Sequence, residues 1–131
     1  MSPDKRELRP REEKVEDLLP ERIGETLGWE TQGVLKQEQN ESWFFKGPLY
    51  TLDYSIRKLY IGISHSVSFN LSDNRGSTYI TVMGIQRVEF YKTQNAVRFH
   101  TKTGDFTVED DGTYSGKADI LFKPKIKFSQ D

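Results

Sequence analysis

Between Leu59 and Leu71 two columns of residues alternate. The odd positions are Leu59, Ile61, Ile63, His65, Val67, Phe69 and Leu71; the even positions are Tyr60, Gly62, Ser64, Ser66, Ser68 and Asn70. A side-chain period of two predicts one long, half-buried β-strand across the whole run, bent at Gly62. The same period predicts strands over Thr31 to Glu38, Ser42 to Lys46, Ser77 to Met83, Ile85 to Lys92, Ala96 to Lys102 and Phe106 to Glu109. Between them lie Gln39-Asn40-Glu41, Gly47-Pro48, Ser72 to Gly76, Gly84, Thr93-Gln94-Asn95 and Gly104-Asp105, all turn chemistry. A last strand is expected over Ala118 to Phe128. It sets Ala118, Ile120, Phe122, Pro124, Ile126 and Phe128 on one face and Leu121, Lys123, Lys125 and Lys127 on the other. Pro124 donates nothing to a ladder, so that strand belongs at a sheet edge or carries a bulge.

Upstream of Trp29 the pattern changes. Pro10 suits a helix start, Arg11 to Leu19 are good helix formers, and Pro20 stops the run. Val15, Leu18 and Leu19 would form one small apolar face. A helix this short is marginal in water and needs a surface to dock on. A second helical turn is expected over Glu21 to Leu27, ended by Gly28.

These elements describe an all-β chain: an antiparallel β-sandwich of the jelly-roll or Ig-like class, with about 7–9 strands and a short helical N-terminal arm. The expected division is an arm over residues 1–28 and a sandwich over 29–131. Two sheets are preferred to a closed barrel because each long strand has one apolar and one wet face.

Composition narrows the function classes. The 131 residues carry 19 Lys+Arg against 20 Asp+Glu, a net charge of −1, which argues against a histone-like or strongly acidic protein. The sum hides an asymmetry: residues 1–48 are net −3 and residues 49–131 net +2. There is no cysteine, so disulfides, thiol catalysis and Cys-based metal sites are excluded. No apolar run is long enough to span a bilayer as a helix. The opening MSPDKRELRPREEK lacks the apolar stretch of a secretory signal, so the expected location is intracellular, cytoplasmic or inside a virus particle.

The candidate chemistry is sparse. His65 sits on the apolar face of the clearest strand and reads as a neutral core histidine bonded to backbone. His100 shares a face with Arg98 and Lys102. Two histidines on separate strands, with no carboxylate at ligand spacing in the sequence, make a weak zinc pattern. Asp105, Glu109, Asp110 and Asp111 supply carboxylates, but Asp110-Asp111-Gly112 is ordinary hairpin punctuation and lacks calcium-loop spacing. No motif of a hydrolase, zinc protease or nucleotide-binding loop occurs. The expectation is therefore no enzyme, no cofactor and no metal.

Binding remains, with two candidate surfaces. Val15, Leu18, Leu19, Trp29, Trp43, Phe44 and Phe45 gather apolar and aromatic side chains near the arm and suggest a protein partner or self-association. Arg87, Tyr91, Arg98, His100, Lys102, Lys123, Lys125 and Lys127 fall on outward positions of later strands and suggest single-stranded RNA or DNA. Lysines on an edge strand also protect against edge-to-edge aggregation. The reading is a non-catalytic binding or structural module, an adaptor or assembly component in a multiprotein or viral complex. The nucleic-acid module is the alternative.

Overall fold

The computed structural model describes the backbone of residues 11–73, 76–116 and 120–125; the side chains at 11, 13, 71–73, 76–79 and 120–125 fall outside that description. Among the described residues there are eleven strands. They are β1 (Arg11–Lys14), β2 (Glu30–Lys36), β3 (Asn40–Lys46), β4 (Thr51–Leu59), β5 (Gly62–Asp73) and β6 (Gly76–Met83), followed by β7 (Ile85–Tyr91), β8 (Ala96–Thr101), β9 (Asp105–Glu109), β10 (Tyr114–Gly116) and β11 (Ile120–Lys125). One sheet has the order β1-β7-β8-β9-β10 and the other β11-β6-β5-β4-β3-β2. Every pairing is antiparallel, as the alternating pattern requires. Within each sheet the chain runs as a meander rather than a Greek key; β1 and β11 alone join out of sequence order.

The two inner faces share one core. Phe45, Leu52, Tyr54, Val67, Phe69, Ile80 and Val82 come from one sheet, and Ile85, Val88, Phe90, Val97, Phe99, Phe106 and Val108 from the other. Phe69 meets Phe106 at 5.2 Å between ring centroids, and Tyr54 stacks near Phe99 at 6.2 Å, so the layers are joined by aromatic contacts. A register shift between Ile85 and Arg87 reconciles β7 with this core. The extra residue lets Ile85, Val88 and Phe90 all face inward despite their mixed spacing. Gly84, at φ 72°, turns the chain from β6 into β7 and so from one sheet into the other.

Three expectations change. Arg11 to Leu19 is not a helix: Arg11–Lys14 is β1, paired with β7, and a 3-10 turn covers Val15–Asp17. A strand edge offers this segment backbone partners that an isolated nine-residue helix lacks. The run from Leu59 is two strands, not one; the chain reverses at Tyr60 and Ile61, and Leu59 pairs with Gly62. The alternation of Leu52, Tyr54 and Ile56 with Asp53, Ser55 and Arg57 forms β4, which was not expected, and the short β10 was likewise missed.

The second helical turn forms as expected. Helix α1 (Glu21–Leu27) buries Ile23, Gly24, Thr26 and Leu27, and Gly28 ends it at φ 73°. Trp29 N–H then bonds the Gly24 carbonyl at 2.9 Å. Leu18, Ile23 and Leu27 join the same core as the strands, although they lie upstream of Trp29. Gly24 is dictated by packing, since a Cβ there would lie 2.7 Å from Phe45 Cδ1 and 2.9 Å from the Trp29 carbonyl oxygen. Strand β11 lies at a sheet edge, where Pro124 was expected, and pairs there with Thr78. Among the described residues no helix is long and apolar enough to cross a membrane.

Candidate binding site at the β4–β5 hairpin

The hairpin joining β4 and β5 is too apolar for a solvated turn. Ile61 is 90% exposed, Ile63 61%, Met83 51% and Leu59 48%, and Tyr60 is fully exposed. Scattered exposed apolar residues are ordinary; a cluster on one hairpin and the neighbouring strand end is not. The cluster borders an open cavity of about 770 Å³ between the hairpin, the Gly84 bend and the turn after β8. Its apolar wall is Leu59, Ile61, Ile63, Met83 and Ile85. Its polar wall is Ser64, His65, Gln86, Thr101, Lys102 and Thr103. No carboxylate lines it among the described residues.

His65 is the buried member of the polar wall. Its Nδ1 lies 2.9 Å from the Tyr54 hydroxyl, so the core histidine is bonded to a side chain rather than to backbone. Burial pushes the Tyr54 phenol far above its ordinary value and pulls the His65 imidazole below its own. The Glu41 carboxylate opposes the second effect, but Trp43 Nε1–H occupies it at 2.6 Å. Both members of the pair are therefore neutral near pH 7. We assign the phenol as the donor, since Nδ1 is the one side-chain partner of its hydroxyl among the described residues; the imidazole proton then sits on Nε2.

The seven residues expected to meet a protein partner do not form one surface. Leu18, Trp29 and Phe45 are core residues of this fold and are unavailable to a partner. Trp29 Nε1–H also bonds the Asp110 carbonyl at 2.9 Å. Val15 and Trp43 are partly buried against the core, Phe44 is half-buried, and Leu19 is exposed. Lys36 Nζ stands 5.7 Å from the Trp43 ring centroid.

Of the basic set, Arg87, Tyr91, Arg98 and His100 do share the outer face of β7 and β8, but each is engaged there by neighbouring side chains. Arg87 pairs with Glu12 at 2.8 Å, and His100 Nε2 with Glu89 at 2.5 Å. Tyr91 donates to Glu89 at 3.1 Å. Arg98 bonds Thr107, approaches Asp105 at 3.7 Å and stands over the Tyr91 ring. Lys102 is on the turn after β8, beside the cavity. The side chains of Lys123 and Lys125, and all of Lys127, lie outside the described residues.

His100 does have carboxylates near it, contrary to the reading of the sequence. Glu12, Glu89 and His100 bring one potential ligand atom each within 4.8 Å of one another. Arg87 and Tyr91 engage the same two carboxylates, so the cluster is compensated by protein groups. Asp111 accepts from the Thr113 N–H and hydroxyl, which hold its carboxyl below the usual range and make it a turn residue.

The exposed hairpin is hidden from a reading of local pattern, because its apolar residues continue the alternation of one long strand face. Compared with known protein families, curated proteins and solved structures, the chain matches none.

Proposed function

We propose that the chain is a non-catalytic binding module that holds a small molecule with an apolar body in the mouth beside the β4–β5 hairpin. One observation carries this reading: four partly or largely exposed apolar side chains, Leu59, Ile61, Ile63 and Met83, wall an open cavity of about 770 Å³ with a buried polar pair beside it. Concave, mainly apolar sites with a few convergent polar groups, in a range of about 300 to 1,000 Å³, are the usual form of a ligand site. Covering these side chains removes apolar surface from water, a gain the folded chain leaves unused.

Anilinonaphthalene sulfonate tests the reading. It should bind saturably with a blue shift, and Ile63→Asp together with Met83→Asp should abolish the signal. Both residues are more than half exposed, so the melting temperature should hold. An unchanged signal in that variant, or no signal in either protein, overturns the proposal. Unchanged near-UV circular dichroism excludes dye uptake by a loosened core.

The adaptor reading draws support from one residue outside the cavity wall. Tyr60, fully exposed at the hairpin tip, is an aromatic of the kind that anchors protein interfaces. The nucleic-acid reading draws less, because Arg87, Arg98 and His100 already face Glu12, Asp105 and Glu89.

A further inference from the structure

The polarity of the mouth is one-sided. Its polar wall carries the Ser64 hydroxyl, the Gln86 amide, the His65 ring and the Lys102 ammonium, together with Thr101, whose hydroxyl already donates to the Gly104 carbonyl at 2.9 Å, and Thr103, whose hydroxyl lies 3.2 Å from that of Thr101. Lys102 is the one charged residue in the wall among the described residues. The carboxylate acting on His65, that of Glu41, is not in the wall and is held by Trp43. A ligand cation would find no counter-charge in this wall, and a neutral ligand would leave the ammonium unused. An anionic head with acceptor oxygens matches both Lys102 and the Nε2–H of His65. The wall of Leu59, Ile61, Ile63, Met83 and Ile85 then takes an apolar tail.

We infer that the mouth binds one amphipathic carboxylate, its head between Lys102 and His65 and its tail along the hairpin side chains. This rests on the binding role proposed above and adds the charge and class of the ligand.

Three probes of equal chain length, kept below micelle formation, separate the two claims: decanoate, decanol and decyltrimethylammonium, titrated calorimetrically at neutral pH. Decanoate should bind one per chain and about tenfold tighter than either of the others, as a hydrogen bond to a charged group implies. Lys102→Gln should weaken decanoate about threefold, the size expected of an exposed ion pair, and leave decanol unchanged. On a surface turn, that substitution leaves the fold intact. His65→Phe should weaken decanoate about tenfold, and decanoate should shift the His65 Nε2 nitrogen resonance in the unaltered protein. Decanol binding as tightly as decanoate would overturn the anionic assignment and leave the mouth standing as an apolar site. If none of the three binds, the mouth itself falls. Decanoate binding untouched by Lys102→Gln and without any His65 shift also overturns the assignment.

Discussion

The Tyr54–His65 pair makes a prediction whose magnitude follows from its geometry. Tyr54 is fully buried and His65 nearly so, and one 2.9 Å hydrogen bond joins them. Tyr54→Phe keeps the ring and its packing near Phe99 but leaves His65 Nδ1 facing a carbon. An orphaned buried acceptor costs about 1 to 3 kcal/mol, and we expect about 1.5. His65→Leu strands the Tyr54 hydroxyl in the same way and should cost about 2 kcal/mol. In the double variant neither polar group is left to desolvate. Its cost should therefore fall about 1 to 1.5 kcal/mol short of the sum of the singles. Urea unfolding followed by tryptophan fluorescence measures all four proteins, because Trp29 is buried against Tyr50 and reports the core. A slope of about 2 kcal/mol/M puts the single variants roughly 0.7 to 1 M lower in midpoint.

The same pair predicts a pH dependence. Burial lowers the folded pKa of His65 below its ordinary value of 6.5, so the unfolded chain binds the proton first. Stability is then full above the unfolded pKa and declines as pH falls from it toward the lower folded value. The decline between pH about 7.5 and about 5.5 should be shallower in His65→Leu, where this contribution is gone. Additive single costs, or an identical pH slope in His65→Leu, would refute the reasoning.

Two further substitutions test local packing and charge. Gly24→Ala adds a good helix former yet should lower stability by about 1 to 3 kcal/mol in thermal unfolding, because its Cβ overlaps the Phe45 ring and the Trp29 carbonyl. Asp53 is half-buried in β4 and bonded by Ser55 at 3.1 Å, and burial raises its pKa. Its ionised form thus opposes folding at neutral pH. Asp53→Asn should raise the urea midpoint there, with the gain shrinking as acid protonates the native carboxyl.

Much of the fold was legible because local pattern decides which face a side chain takes. The strands around Val97 and Phe99, around Phe106 and Val108, and the Gly28 end of α1 all follow from period and turn chemistry. The hairpin at Tyr60 did not, for a geometric reason. On β4 the even residues Leu52, Tyr54 and Ile56 face inward, whereas on β5 the odd residues His65, Val67 and Phe69 do. The odd column from Leu59 to Leu71 crosses the turn where inside and outside exchange, so one apparent stripe belongs to two surfaces. Missing β4 also hid the partner of His65, since Tyr54 comes next to it only through that pairing. The fate of the arm depended on β7, some eighty positions away in the sequence, and no local pattern carries such a contact.

That distance also governs the order in which the molecule can be completed. Arg11 finds its partner in Phe90, and Trp29 and Tyr50 donate to the carbonyls of Asp110 and Gly112. A chain emerging from the ribosome carries β1 through the synthesis of about seventy further residues before β7 exists to receive it. The β2 to β6 meander, built from neighbouring hairpins, is complete at Met83, just as β7 begins at Ile85. Its inner face, with Phe45, Leu52, Tyr54, Val67 and Phe69, must wait uncovered for the second sheet. During that interval the nascent chain shows its most adhesive surface, and translation speed between residues 84 and 116 sets how long it does so.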